Sequence, residues 1–250
     1  VLAGAFLALA AALRVFPVLF AVPLVFQALH HLWRQRRLPA LHARFLAGLA
    51  GTGLALLLAS ALQPRGLGAW AEFRHNMGKH MDTISPNIVG LTPALAYHET
   101  EATLTLEEFR AEQERRARVH RIQLATVFAA AVAAVALLSA RTAPAESMLL
   151  AVPLLLTGLN LASYYYVLLV LMSVVWWARP LRVAALFGLE LATHALLLFE
   201  EREHFVYMYR SLLLLYLLAA VYLADLAAAL RPLGSAGGEQ DPRVPVGPVA

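Results

Sequence analysis

The sequence contains no cysteine, and only one of its 20 basic residues is a lysine. Without cysteine, neither disulfide bonds nor thiolate metal sites can form. Charge is also scarce, because charged residues make up 14% of the chain whereas soluble domains have about 25%. Neither a glycine-rich phosphate loop nor a Ser-His-Asp pattern is present. The net charge of +4 is not gathered into a basic soluble patch, which argues against a nucleic-acid partner.

Apolar residues dominate the chain and are clustered in long runs. They make up 60% of the sequence, and the mean hydropathy is +0.66. This clustering predicts an all-α fold, a polytopic bundle of transmembrane helices. Alternating strands separated by turns, as in a membrane β-barrel, are not seen. We expect one transmembrane domain over 1–226 and a disordered cytoplasmic tail over 227–250, which is rich in proline and glycine.

Four apolar runs predict complete crossings, and two more are interrupted. The predicted crossings are 45–62, 122–140, 183–199 and 205–226. The interrupted runs are 1–29, broken at Arg14-Val-Phe-Pro17, and 147–177, broken by the polar stretch 157–166. Proline breaks the helical hydrogen-bond ladder, and irregular backbone at membrane depth has to be buried in protein or line a cavity. We therefore predict two short helices or one sharply kinked helix over 1–29, with Arg14 at the break, and a re-entrant or tightly turned pair of short helices over 147–177. Both breaks and the outer loop are expected to face one cavity. Since the chain begins within an apolar run, we expect a further N-terminal part.

The distribution of arginine predicts which side of the membrane each connection occupies. A basic loop is predicted over 30–37, beginning with His30 and His31. Its arginines, Arg44 and the basic stretch 178–182 mark these connections as cytoplasmic. The long polar section 63–121 has eight basic and eight acidic residues, so we place it outside. Within it, the spacing of Trp70 and Phe73 predicts an amphipathic helix over 69–81 that lies in the membrane interface.

A second helix is predicted near the end of that section. Thr105-Leu-Glu-Glu108 fits a capping box. The spacings Glu112–Arg116 and Glu114–Arg118 predict ion pairs one turn apart. We expect this helix to run directly into the crossing at 122–140, with its charges forming a solvated face.

Three segments resemble GT-C type membrane glycosyltransferases. Leu-Arg14-Val-Phe-Pro17 is similar to the basic-aromatic-proline segment of those proteins. Trp70-x-x-Phe73, followed by His80 and by Asn87-x-Val89-Gly90-Leu91, resembles an outer loop in their later half. Ser163-Tyr164-Tyr165-Tyr166 resembles the tyrosine-rich break after that loop. The nearest group is the family related to bacterial polyprenyl-phosphate-mannose-dependent α-mannosyltransferases, and the resemblance covers about residues 1–226.

The resemblance implies a glycosyltransferase of the bacterial inner membrane with loop 63–121 in the periplasm. The donor would be a polyprenyl-phosphate sugar, with no separate cofactor, and membrane lipids and possible further membrane subunits would be its partners. In that family an acidic base comes from a first outer loop near the N-terminus, which this chain does not show. Enzymatic activity therefore depends on whether such a loop exists.

Six residues are candidates for the site. A phosphate leaving group requires positive charge and hydrogen-bond donors, for which we select Arg14 and Lys79. His80 is the candidate catalytic acid or base. Sugar contacts are assigned to three residues: Asn87, Tyr164 and Tyr165. The alternatives are an interfacial His80, a snorkelling Arg14, a plain turn at Asn87 and an ordinary aromatic belt.

Two further interpretations remain open at the level of the sequence. Glu190 and His194 share a helix face within the membrane, and a hydrogen bond to a neighbouring helix is the simpler explanation than a metal site, since no third ligand is apparent. Arg210 and Asp225 are predicted to be interfacial. A non-catalytic membrane scaffold subunit is the main alternative to the enzyme, and a transporter is a third possibility.

Overall fold

The computed structural model describes residues 1–230 except 15, 67, 83–87, 97–104, 163–166 and 201–202, and does not describe side chains 77, 79–82, 106, 167 and 203–204. The predicted all-α fold class is confirmed. Within the described part of the chain, helices are joined by short turns, and the regular strand structure is one two-stranded pair.

The first interrupted run forms two α-helices with the break at Arg14, as predicted. Arg14 has an extended backbone, with φ −149°, and a 3₁₀ helix at Phe16–Ala21 follows the break. The predicted basic loop is shorter than expected, because the second helix continues through His30 and His31 and ends at Gln35. The next residue, Arg36, adopts a left-handed backbone conformation with φ 52°. The helices of this region are α1, Leu2–Leu13; α2, Val22–Gln35; and α3, Ala40–Ala61.

Helices α1 and α3 pack backbone to backbone through two glycines. A Cβ atom on Gly4 would collide with the carbonyl oxygen of Phe45, and one on Gly48 would collide with that of Val1. Small residues allow this close approach between apolar helices. The other two glycines of α3, Gly51 and Gly53, do not take part in this packing, because a new Cβ atom there would have no neighbour within 4 Å.

The long polar section contains the two predicted helices. The amphipathic helix docks on the end of α3, because the indole N–H of Trp70 donates a hydrogen bond to Ser60 at 2.6 Å. The second predicted helix does not run straight into the next crossing, since the backbone turns at His120 (ψ 11°). The helices here are α4, Gly68–Asp82; α5, Leu91–Ala96; α6, Leu106–Val119; and α7, Arg121–Ser139.

The second interrupted run lies at the centre of the bundle. Most of its middle helix is buried, with Ala151 and Leu155 at 0% exposure and Val152 at 2%. Burial there supplies protein cover for the broken backbone that follows, as irregular structure at membrane depth requires. The elements are α8, Pro144–Ser147, followed by a 3₁₀ turn; α9, Ala151–Gly158; and α10, Val167–Val175.

Two long helices complete the bundle, α11 over Pro180–Leu197 and α12 over Glu203–Leu230. The last helix continues past the domain boundary predicted at 226, and residues 231–250 lie outside the described part. Among the described residues, five helical segments are long and apolar enough to cross a membrane, which fits a multi-pass membrane protein. They are Phe16–Gln35, Ala40–Ala61, Arg121–Ser139, Pro180–Leu197 and Phe205–Leu230.

A charged contact joins the last two helices within these segments. The Arg210 guanidinium donates to both carboxylate oxygens of Glu190, at 3.1 and 3.0 Å. The predicted hydrogen bond from this helix to a neighbouring one is thereby confirmed for Glu190. Its partner, Arg210, was predicted to lie at the membrane interface. The imidazole of His194 lies 3.8 Å from the same carboxylate.

Candidate functional site

A short strand pair joins the long polar section to the break after α9. Strand β1, Ile88–Val89, runs antiparallel to strand β2, Leu161–Ala162, with Ile88 opposite Ala162. Val89 and Leu161 are buried, at 1% and 4% exposure. Because the strands are antiparallel, the start of β1 and the end of β2 lie side by side. Two of the three segments in the glycosyltransferase resemblance are thus attached to one structural unit.

Gly90 fixes this strand pair against two helices. Its φ of +133° is one that residues with a side chain rarely adopt. Its N–H donates to the hydroxyl of Ser211 in α12 at 3.1 Å, and that hydroxyl donates to the Tyr207 carbonyl at 2.7 Å. A Cβ atom at Gly90 would lie 2.6 Å from the carbonyl oxygen of Leu156 in α9. Glycine is therefore required here both by backbone conformation and by space.

A cavity of about 560 Å³ opens beside the end of α9. We call it the loop-side cavity. Its walls come from α5, from the junction of α6 and α7, and from the α9 break. The polar residues that line it are Thr92, Glu114, Arg118, Arg121, Thr157 and Asn160, and its apolar residues are Ala117, Leu124, Ala125, Phe128 and Gly158.

Positive charge prevails in the loop-side cavity. Arg118 and Arg121 are exposed, and neither has an ion-pair partner among the described residues. The predicted Glu114–Arg118 pair is not formed, whereas the predicted Glu112–Arg116 pair is, at 2.7 Å. Two arginines with unused guanidinium donors beside one carboxylate can bind a phosphate group.

Helix α6, which carries Glu114 and Arg118, begins with the predicted capping box. The Glu108 N–H donates to the Thr105 hydroxyl at 3.3 Å, and the Thr105 N–H donates to the Glu108 carboxylate at 2.8 Å. The Thr105 hydroxyl also donates to that carboxylate at 2.8 Å. The hydrogen bond from the Thr105 backbone, and next the one from its hydroxyl, hold the pKa of Glu108 below its ordinary value.

We expect this cap to weaken in acid. Since the folded-state pKa of Glu108 is depressed, its stabilisation of α6 is present above the unfolded-state pKa and is lost as pH falls through the folded-state pKa. A ¹³C titration of the Glu108 carboxyl group should give a midpoint below that of an ordinary glutamate, and Thr105→Ala should move it upward. An unchanged midpoint in Thr105→Ala would contradict this assignment.

The predicted site residues fall mostly outside the described part. Arg14 is exposed at the end of α1 and does not line the loop-side cavity. Lys79 and His80 belong to α4, but their side chains are not described. Asn87, Tyr164 and Tyr165 also lie outside the described residues. The roles assigned to these six residues therefore remain predictions.

The sequence pattern did not predict that charged residues of α6 line a cavity. A helix rich in charge normally faces water, so the charges of α6, Glu114 and Arg118 among them, are expected on a solvated face. One signal was available for Asn160, which lies in the polar break of an otherwise apolar run. No cluster of three or more potential metal ligands occurs within the described ranges.

No family model, curated protein or solved structure matches this chain.

Proposed function

We propose that the protein is a GT-C type membrane glycosyltransferase that binds a polyprenyl-phosphate sugar in the loop-side cavity. The observation that supports this most directly is the pair of arginines, Arg118 and Arg121, without ion-pair partners in the described structure, at the edge of an apolar bundle. A lipid-linked phosphate requires both features, because its phosphate needs fixed positive charge and its chain needs contact with lipid.

Helix α7 supplies the apolar part of such a site. Phe128 and Leu124 line the cavity, and Phe128 is itself 37% exposed. A polyprenyl chain lying along this surface would keep its tail in the bilayer. The sugar phosphate would then reach the arginines at the start of the helix.

The polar residues of the cavity have matching roles in the proposed transfer. The acceptor hydroxyl oxygen forms a bond to the anomeric carbon while the bond from that carbon to the phosphate oxygen breaks. Glu114 takes the hydroxyl proton, and Arg118 and Arg121 stabilise the charge on the departing phosphate. Thr92 and Asn160, which line the same cavity, would contact the sugar. This assigns the base role to a carboxylate of the described chain rather than to an upstream loop.

The charge pattern supports a periplasmic cavity in a bacterial inner membrane. The arginine-rich connections before α3 and before α11 carry the positive charge typical of cytoplasmic loops. The loop-side cavity lies at the start of α7. The segment after α7 lies at the other end of that helix and contacts the connection before α11, because Glu146 pairs with Arg179 at 2.7 Å. We therefore assign the loop-side cavity and section 63–121 to the other side.

The proposal is tested by replacing both cavity arginines. We expect Arg118→Gln combined with Arg121→Gln to lower sugar transfer from radiolabelled polyprenyl-phosphate mannose about 100-fold, the scale of losing a transition-state donor. Transfer is measured in membranes that contain the full protein. Arg115→Gln is the control, because it removes one positive charge from α6 at a residue that pairs with Glu112 outside the cavity.

Three results bear on the alternative function. Transfer that survives in the double variant would overturn the cavity assignment. A wild-type chain that neither binds nor consumes the labelled donor would favour the non-catalytic scaffold. Donor binding that is lost in the double variant, without transfer in the wild type, would support the cavity but not the reaction.

A further inference from the structure

A second cavity lies at the other end of α7. Its volume is about 280 Å³, and it opens between the turn after α7, the turn before α11 and the last part of α12. We call it the turn-side cavity. Because α7 spans Arg121–Ser139 and a helix rises about 1.5 Å per residue, the two cavities are separated by roughly the thickness of a bilayer core.

Three arginines line the turn-side cavity, and two of them are held by carboxylates. Arg179 pairs with Glu146 at 2.7 Å. Arg182 donates two hydrogen bonds to Asp225, one of them at 3.0 Å. Its guanidinium also lies 5.3 Å from the Trp176 ring centroid. Both carboxylates that line the cavity, Glu146 and Asp225, are therefore already paired with an arginine.

Arg141 is the third arginine, and it gives the cavity an excess of positive charge. It is exposed and has no ion-pair partner within the described ranges. Arg179 is itself 42% exposed at its side chain, so its guanidinium can still reach a ligand. An anion entering here would therefore meet one uncompensated charge and further donors.

Exposed apolar residues flank the turn that carries Arg179 in the sequence. Val174, Trp177 and Leu181 border the turn that carries Arg179, and they are 64%, 79% and 85% exposed. Tryptophan is enriched where the membrane meets water, and basic pockets between transmembrane helices bind the headgroups of anionic lipids. The cavity is smaller than the range of about 300–1,000 Å³ typical of drug-sized ligands. It suits a headgroup whose acyl chains stay outside.

We propose that the turn-side cavity binds the phosphate headgroup of an anionic phospholipid. Arg141 makes the charge-assisted contact to the phosphate, Arg179 adds a donor, and the acyl chains lie against Trp177 and Leu181. This site is independent of the proposed glycosyl transfer, because it lies at the opposite end of α7 and shares no lining residue with the loop-side cavity.

Lipid binding to the full protein in non-ionic detergent tests the proposal by native mass spectrometry. We expect phosphatidylglycerol to bind about tenfold more tightly than phosphatidylcholine. Arg141→Gln should remove this preference, which corresponds to the loss of about one charge-assisted contact, while Arg141→Lys should retain most of it. Arg65→Gln is the control, because it removes an exposed arginine that is paired with Glu72 and lies far from the cavity in sequence.

A second measurement guards against a variant that folds poorly. Phosphatidylglycerol should raise the melting temperature of the wild type and of Arg65→Gln, but not that of Arg141→Gln, since only a ligand that binds the folded state shifts stability. Equal affinity of the wild type for the two lipids, or equal behaviour of Arg141→Gln and Arg65→Gln, would overturn the proposal. Displacement of the lipid by millimolar inorganic phosphate would also overturn it, in favour of a free-anion site.

Discussion

Gly90→Ala is expected to destabilise the protein by about 3 kcal/mol, because it combines backbone strain with a steric collision. The φ of +133° is unfavourable for alanine, and the new Cβ atom would lie 2.6 Å from the Leu156 carbonyl oxygen. That oxygen belongs to α9, the most enclosed helix of the bundle, so it cannot move aside cheaply. Relief requires β1 to shift, which breaks the hydrogen bond from Gly90 to Ser211.

The loss of stability is measured by thermal or denaturant unfolding in detergent micelles. Gly188→Ala is the matched control, because Gly188 lies in α11 with no neighbour within 4 Å of a new Cβ atom. Alanine is favoured over glycine within a helix by about 1 kcal/mol, so the control should be as stable as the wild type or slightly more stable. If Gly90→Ala and Gly188→Ala unfolded at the same temperature, β1 would not be held by the contacts of Gly90 described above.

A Gly90→Ala protein that remains folded should also lose the loop-side cavity. Residue Thr92, on the wall of that cavity, follows Gly90 by two positions and begins α5 with Leu91. A shift of β1 would move this wall relative to Asn160, which directly precedes β2. Donor binding should therefore fall more in Gly90→Ala than in the control, when both are compared at a temperature at which both are folded.

The second large effect is expected at the ion pair between α11 and α12. The Arg210 and Glu190 side chains are 16% and 30% exposed, and both helices are candidate membrane spans. A charge without its partner inside a membrane span is costly. Removal of one member of a buried pair costs about 3–5 kcal/mol, whereas replacement of both by apolar residues can be nearly neutral.

A double-mutant cycle separates this coupling from the other contacts of each side chain. We expect Glu190→Leu and Arg210→Leu each to lower the free energy of unfolding by about 3 kcal/mol, and the double variant to lose less than either single variant. Unfolding in mixed micelles provides the four values. Additive losses would show that the two side chains do not stabilise each other in the membrane. His194→Ala is the control, because its imidazole is 68% exposed and lies 3.8 Å from the carboxylate.

Much of the fold follows from patterns that are local in the sequence. Apolar runs of about 20 residues predict spans because that length crosses a bilayer. Four of the five candidate spans of the described structure match predicted crossings, and the fifth, Phe16–Gln35, lies in the first interrupted run. The break at Arg14, the amphipathic helix that contains Trp70 and the capping box at Thr105 are likewise decided by residues within one or two turns. Predictions failed at helix ends. The helical hydrogen bonds of α2 continue through the basic stretch to Gln35, while α6 ends at Val119, just before His120.

The sequence by itself determined a helical membrane bundle with two interrupted runs, because hydropathy, proline and capping residues act over short distances along the chain. Only the tertiary structure decided which residues meet. Gly90 contacts Ser211, Arg182 pairs with Asp225, and Arg118 and Arg121 share a cavity with Asn160. Apart from Arg118 and Arg121, which are close in the sequence, the residues of each contact are more than 35 positions apart. Such contacts depend on how the helices pack, and no periodicity within one helix encodes that packing.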